Sequence, residues 1–327
     1  MNSREIVKRA IHFQDPPRIP YNFDSNRTPI DGISYGEDMM WVFASSKEMA
    51  GDADEWGVVY QAMGESFGEP KVFPLEGAES LEGYSFPDYS ENWRYDEMRR
   101  QIEENGGEKY VLGMLPTGLF QRMIDLFGFV DFMTNVAAEP DLIRETCSKL
   151  CDIAIISARK MAECGIDGII TIDDTALQYS LMISMDSFRE IFVPEFKRLY
   201  AECHKMGLDC FIHSCGYTLD IIEELIQAGC DAVNLDQQDN MGIQELSKRY
   251  RGRVCFYCPI DIQRTLDMGK EDIEKRVIEM VQAFATPHGG FIAKTYPQPK
   301  AVGMSNEYLK MMTDAFKACD YREIVKE

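Results

Sequence analysis

From Tyr110 onward, short apolar runs rich in β-branched or aromatic residues alternate with longer amphipathic stretches, and this alternation limits the folds open to the chain. YVLGML (110–115), GIITID (168–173), CFIHS (210–214), AVNLD (232–236), VCFYCP (254–259) and GFIAKTY (290–296) read as strands, each preceded by a helical segment. Strands separated by helices build a parallel sheet. In the helix before GIITID, Pro140 and Asp141 open the first turn. Leu142, Cys147, Leu150, Ile153 and Ala154 then recur at helical spacing, and Gly165 closes it. RIPYNF (18–23) supplies another strand. EWGVVYQ (55–61) is either a further one or part of an N-terminal hairpin, and with it the count reaches eight. Residues 24–54 and 62–105 carry Gly, Pro and acidic residues and read as irregular insertions on one rim. The expectation is an α/β fold, a (β/α)8 TIM barrel, spanning residues 1–327 as one domain with an elaborated N-terminal region over 1–105. An open doubly wound sheet is the runner-up, but no G-x-G-x-x-G and no G-x-x-x-x-G-K-[ST] supports nucleotide binding.

Composition narrows the function. With 34 basic against 55 acidic side chains, 34 − 55 = −21, the surface repels phosphate backbones and anionic lipid, which excludes nucleic acid and membrane partners. No apolar run approaches the roughly 20 residues of a membrane span, and MNSREIVKRAIHF reads as an amphipathic helix rather than a signal peptide. A cytoplasmic location is expected. Ten cysteines, several within apolar runs, suit reduced core thiols, and with 19 methionines they point to a reducing, anaerobic cytosol.

In a β/α barrel the chemistry sits at strand C-termini and the loops that follow. GIITID ends in Asp173 and Asp174, with Gln178 shortly after. CFIHS carries His213 and leads to Cys215; AVNLD leads to Asp236 and Gln237. VCFYCP supplies Cys258, followed by Asp261 and Gln263, and GFIAKTY supplies Lys294 and Tyr296. Asn22 and Asp24 close RIPYNF. Residues two apart on an extended segment face one side, so His213 and Cys215 can reach one ion together. Cys258, at the matching level of a strand two further on, completes a His/Cys/Cys set for Zn2+ with an open position, while Cys255 alternates away toward a helix. Core thiols and an interior histidine are the ordinary roles of such residues.

Asp173 or Asp174 is expected as a fourth ligand, as the acceptor for the other N–H of His213, or as a proton-handling group; helix capping is the ordinary alternative. Lys294 and Tyr296 are assigned to charge stabilisation. Asn22, Asp24, Gln178, Gln237, Asp261 and Gln263 are assigned to substrate. His12, His204 and His288 have no ligand at motif spacing, and Cys147 with Cys151 reads as packing.

These residues carry a family resemblance. Asp173-Asp174, Gln178, FVPEFKRLYAECHKMGLDCFIHSCG, ELIQAGCDAVNLDQQDNMG, FYCPIDIQRTL and GGFIAK, in that order, resemble the uroporphyrinogen decarboxylase superfamily, in particular its methyltransferase-like branch. DEWGVVYQ and PLEGAESLEGYSFPD extend the likeness to nearly the whole chain. True decarboxylases of this family carry an Arg-rich segment after the first strand, whereas RIPYNFDSNRTPIDG offers only Arg27 there. Corrinoid-linked members similar to methylcobalamin:coenzyme M methyltransferase bind zinc through H-x-C and a cysteine on the last strand; KTYPQPK has none, and Cys258 is the substitute.

The resemblance implies methyl transfer between a small molecule, such as an aryl methyl ether undergoing O-demethylation, and a corrinoid supplied by a partner protein. It also implies a homodimer. A carboxy-lyase acting on a tetrapyrrole or other carboxylate, and a non-catalytic ligand-binding member, are the alternatives.

Overall fold

The computed structural model describes residues 1–23, 38–49, 51–61 and 68–325. Its strands are β1 (Tyr21–Asn22), β2 (Met39–Phe43), β3 (Val59–Gln61), β4 (Glu69–Val72), β5 (Tyr110–Met114), β6 (Gly168–Ile172), β7 (Asp209–His213), β8 (Ala232–Asn234), β9 (Cys255–Cys258) and β10 (Phe291–Lys294). Eight of them form one parallel sheet in the order β1-β10-β9-β8-β7-β6-β5-β2. Between β1 and β2, Asp38 N–H donates to the Tyr21 carbonyl at 2.8 Å and the Asp38 carboxylate accepts Tyr21 N–H at 2.8 Å, so the sheet nearly closes. This is the expected (β/α)8 barrel.

One N-terminal assignment changes. EWGVVYQ does not enter the barrel: β3 pairs antiparallel with β4 as a separate two-stranded ribbon. The second barrel strand is MMWVF, inside the stretch expected to be irregular, and it pairs with β5 from Met39 opposite Tyr110 to Phe43 opposite Met114. The six later strands lie where the alternation put them. Their helices include Pro140–Cys164, which ends at Gly165 in the left-handed region with φ 98°.

The barrel strands from β5 to β10 are buried on both faces. Met39, Tyr110, Leu112, Ile170, Phe211, Ala232, Cys255, Tyr257 and Ile292 fill the lumen. Their neighbours in sequence, among them Val111, Ile169, Cys210, Val233 and Phe256, join the larger cluster under the helices, where the Phe256 ring stacks on Phe284 at 4.2 Å. The helix Ser3–Ile11 closes the N-terminal end by inserting Val7, Ala10 and Ile11 into the lumen cluster. Burying such a Val or Ile side chain stabilises by about 1.5–3 kcal/mol, more than the 0–1 kcal/mol typical of surface ion pairs. Arg4 and Lys8, themselves partly exposed, pair with the buried Asp167 carboxylate, so apolar insertion and these charges seat the helix together.

Aspartates at this end fasten neighbouring strands. Asp167 accepts Val111 N–H at 3.0 Å and Asp231 accepts Cys210 N–H at 2.7 Å. His12 pairs with Asp209 at 2.9 Å and His204 with Asp231 at 2.8 Å. Among the described residues no helix is long and apolar enough to cross a membrane.

Hydrogen bonds to Asp209 and Asp231 raise the pKa of His12 and His204 above the ordinary value, against opposing desolvation. A raised native pKa means that the extra stability is complete below the unfolded value, about 6.5, and is lost as pH rises through the native one. Thermal melts of wild type and the His12→Gln/His204→Gln double variant should therefore differ most below pH 6.5 and converge at higher pH. A difference that stays constant across this range would contradict the linkage.

Candidate metal centre

The alternation that fills the lumen continues past the ends of β6, β7 and β8, where its inward positions become polar. On β7 Phe211 faces inward, so His213 and Cys215 follow it on the same side. On β6 Ile170 faces inward, which brings Asp174 to the lumen and turns Asp173 away. Asn234 and Asp236 follow Ala232 inward, and Lys294 follows Ile292. Backbone bonds fix the strand ends: Asp173 N–H donates to the His213 carbonyl at 2.9 Å, and Ser214 N–H to the Asn234 carbonyl at 3.2 Å.

Three donors converge there. His213 Nε2 lies 3.5 Å from Cys215 Sγ and 3.6 Å from Asp174 Oδ1, and all three ligand atoms fall within 4.8 Å of one another. Ligands held about 2.0–2.3 Å from a tetrahedral ion sit roughly 3.3–3.6 Å apart, so the imidazole already stands at zinc-ligand spacing from both the thiol and the carboxylate. Asp174 Oδ1 also accepts Cys215 N–H at 2.7 Å, tying the two loops together. The close approach needs Gly216. It has φ +81°, and a Cβ there would lie 2.5 Å from the Leu177 carbonyl oxygen and 2.6 Å from that of Ala176. Gln237, assigned to substrate from sequence, accepts Gly216 N–H at 2.7 Å and so holds this turn.

Behind His213 lies a buried polar layer. Asn234 Oδ1 lies 3.0 Å from His213 Nδ1 and accepts Lys294 Nζ at 3.1 Å, while Asn234 Nδ2 donates to Asp236 at 2.8 Å and to the Tyr257 carbonyl at 2.9 Å. Lys294 Nζ also pairs with Asp236 at 3.0 Å; the two side chains are only 4% and 1% exposed. Burial opposes ionisation of Asp236, but Lys294 and His213, with hydrogen bonds from Lys294 and Asn234, hold its carboxyl below the usual range. Burial, then the Asp174 and Asp236 carboxylates, push the Cys215 thiol well up, with Lys294 opposing. A cation is what would deprotonate such a thiol. Burial pushes the Tyr296 phenol up to about 12, with help from Cys215, Asp236 and Asp174, which leaves it a proton donor at the mouth.

Several sequence assignments are corrected here. Cys258 does not reach the three donors: it belongs to the cluster under the helices, because on β9 it is Cys255 and Tyr257 that face the lumen. The parity expected for Cys255 and Cys258 is therefore reversed. Asp173 turns away from the lumen, and its Oδ1 accepts Phe120 N–H at 2.6 Å and Gln121 N–H at 3.3 Å at the start of the helix Gln121–Phe127. Asp261 accepts the N–H groups of Asp239, Gln263 and Arg264 and shapes its own loop. Gln178 bonds Gln263 at 3.1 Å on the exposed rim. Asn22 reaches the lumen and donates to the Tyr257 hydroxyl. Asp24 and Arg27 lie outside the described residues.

Asn234 and Tyr257 are the residues that sequence reasoning missed. For Asn234 a signal existed, since Asn234 and Asp236 repeat the two-residue spacing of His213 and Cys215.

A second cluster, His204 with Cys210 and Asp231, lies at the opposite end of the barrel. There the imidazole and carboxylate already pair with each other at 2.8 Å, and the Cys210 thiol lies in the cluster under the helices.

The sequence model of the uroporphyrinogen decarboxylase (URO-D) family matches residues 63–318. Among solved structures, a methyltransferase from Methanosarcina mazei superimposes with a TM-score of 0.61 at 18% identity, covering 76% of this chain and 72% of that one. D-psicose 3-epimerase gives a TM-score of 0.44 at 12% identity, covering 72% and 84%. No curated protein matches in sequence.

Burial pushes the Asp173 carboxyl up to about 7 against the two backbone N–H donors. Between pH 4 and 7 the native state then keeps a proton on Asp173 that the unfolded state has released, so the contribution of this group to stability falls as pH rises, at no more than about 1.4 kcal/mol per pH unit. Asp173→Asn keeps the acceptor and lacks the proton. Denaturant melts should show it gaining stability relative to wild type from pH 4 to 7 and no further above; a pH-independent difference would remove the buried acid.

Proposed function

This chain belongs to the uroporphyrinogen decarboxylase family, and from that premise we propose that it is a zinc-dependent, corrinoid-linked methyltransferase of the cytoplasm. It moves a methyl group between a small molecule and a corrinoid held by a partner protein. The observation that carries this reading is the convergence of Asp174, His213 and Cys215 ligand atoms within 4.8 Å at the C-terminal mouth of the barrel, where such folds keep their chemistry. The donor set fits zinc: one soft thiolate, one imidazole and one carboxylate leave a position open for substrate. When bound there, zinc supplies a Lewis acid that stabilises charge on the heteroatom the methyl group leaves or joins.

The chain's own residues do the rest. Asn234 and Asp174 orient the imidazole and the thiol. Tyr296, protonated at neutral pH, offers a hydrogen bond at the mouth. Trp41, on β2, packs onto the lumen cluster, and its aromatic ring is compatible with an aryl methyl ether as the small molecule.

Lys294 is not free for a substrate carboxylate, because its ammonium is held by Asp236 and Asn234. That weighs against the family's decarboxylation of a polycarboxylate, which needs free cations in the cleft.

Elemental analysis of anaerobically purified protein tests the reading. Wild type should carry close to one zinc per chain, His213→Ala and Cys215→Ser should lose it, and Asp174→Asn should hold it at least tenfold more weakly. Cys258→Ser should retain it. Metal-free wild type after zinc reconstitution would end the zinc-dependent reading, and loss of zinc in Cys258→Ser would overturn the assignment of Asp174 as the third ligand.

A further inference from the structure

We infer that Asn234 is a positioning residue that fixes the tautomer of His213, so that Nε2 keeps its lone pair for a cation. The inference rests on reading His213 as a ligand and goes one step behind it. A neutral imidazole carries one N–H, and the nitrogen bearing it cannot bind a metal. Which nitrogen that is follows from what faces Nδ1.

The amide of Asn234 has only one orientation compatible with its surroundings. Its Nδ2 lies 2.8 Å from an Asp236 carboxylate oxygen and 2.9 Å from the Tyr257 carbonyl, and both of these only accept. Its Oδ1 lies 3.1 Å from Lys294 Nζ, which only donates. Turning the amide over would set nitrogen against ammonium and oxygen against two acceptors. Oδ1 therefore faces His213 Nδ1, and at 3.0 Å the only bond available is Nδ1–H donating to that oxygen. The hydrogen is thus placed on the far side of the ring, and Nε2 is left bare toward Cys215 Sγ at 3.5 Å and Asp174 Oδ1 at 3.6 Å.

Lys294 and Asp236 serve this arrangement as a clamp. Each is buried, each bonds Asn234, and they bond each other, so the amide cannot turn without losing its buried bonds to a carboxylate and an ammonium that the ion pair holds in place. Asn234 itself is buried, with 1% of its surface exposed. Asn234 also bonds Lys294, Asp236 and the Tyr257 carbonyl, so the tautomer signal, rather than zinc affinity alone, reads its effect on His213.

The test uses full-length, chelator-treated protein labelled with 15N-histidine, recorded at pH 8 by long-range 1H–15N correlation; the chain has four histidines, and His213→Gln assigns the signal. Wild type should show His213 as the Nδ1–H tautomer alone. Asn234→Leu should bring in the Nε2–H form and weaken zinc binding 10–100-fold, the usual cost of losing such an outer partner. An Nε2–H signal in wild type, or an Asn234→Leu protein that keeps both the Nδ1–H tautomer and wild-type zinc affinity, overturns the inference. Should Asn234→Leu fail to fold, the wild-type spectrum decides: the Nδ1–H form alone upholds the inference and an Nε2–H signal overturns it. If wild type binds no zinc, the methyltransferase reading falls while the spectra still judge the role of Asn234.

Discussion

A barrel strand turns alternate side chains toward two different interiors, the lumen and the layer under the helices, and the site depends on which residues fall on which side. Below the mouth both sides are apolar. Above it the inward positions carry Asp174, His213, Cys215, Asn234 and Asp236 from the adjacent strands β6, β7 and β8 or the loops that continue them, and Lys294 from β10, one strand beyond β9. Parallel pairing sets them at one level, since His213 is in register with Ile172 and with Asn234. A one-residue slip in any of these strands would send its donor into the helix layer.

Charge then decides what such a layer can hold. Leaving an ion unpaired in a protein interior costs several kcal/mol, and each buried charge here has an answer or calls for one. Asp236 is balanced by Lys294. Asp174 and the Cys215 thiol, once ionised, leave two negative charges that one divalent cation would neutralise. That balance, together with the spacing of the donors, favours a soft divalent metal over a bound anion. Lys294 has a structural part in this, anchoring Asp236 and Asn234, rather than the direct contact with substrate that its place at a strand end suggested.

How much of this could be read from the chain follows from the same geometry. The six later strands were legible because each apolar run is bounded by an amphipathic helix, and the helix Pro140–Cys164 carries its own start and stop in Pro140 and Gly165. The pair His213 and Cys215 was legible because a spacing of two puts both on one face whichever face it is. Cys258 was not, since Phe256, Tyr257 and Cys258 are all fully buried and hydrophobicity gives no hint of which faces the lumen. Asp173 and Asp174, adjacent in sequence, divided into a helix cap and a candidate ligand for the same reason. MMWVF was passed over because EWGVVYQ competes with it nearby with more β-branched residues, and only pairing with β5 separates the two. The clamp around Asn234 joins three strands, and local sequence does not encode such a meeting.

The account stands or falls on the composition of the metal's ligand shell. X-ray absorption at the zinc edge of the reconstituted, full-length protein reads that composition directly. The geometry predicts a single sulfur at about 2.3 Å, with the remaining ligands nitrogen or oxygen at about 2.0–2.2 Å. A shell with two or more sulfurs, or with none, would contradict it.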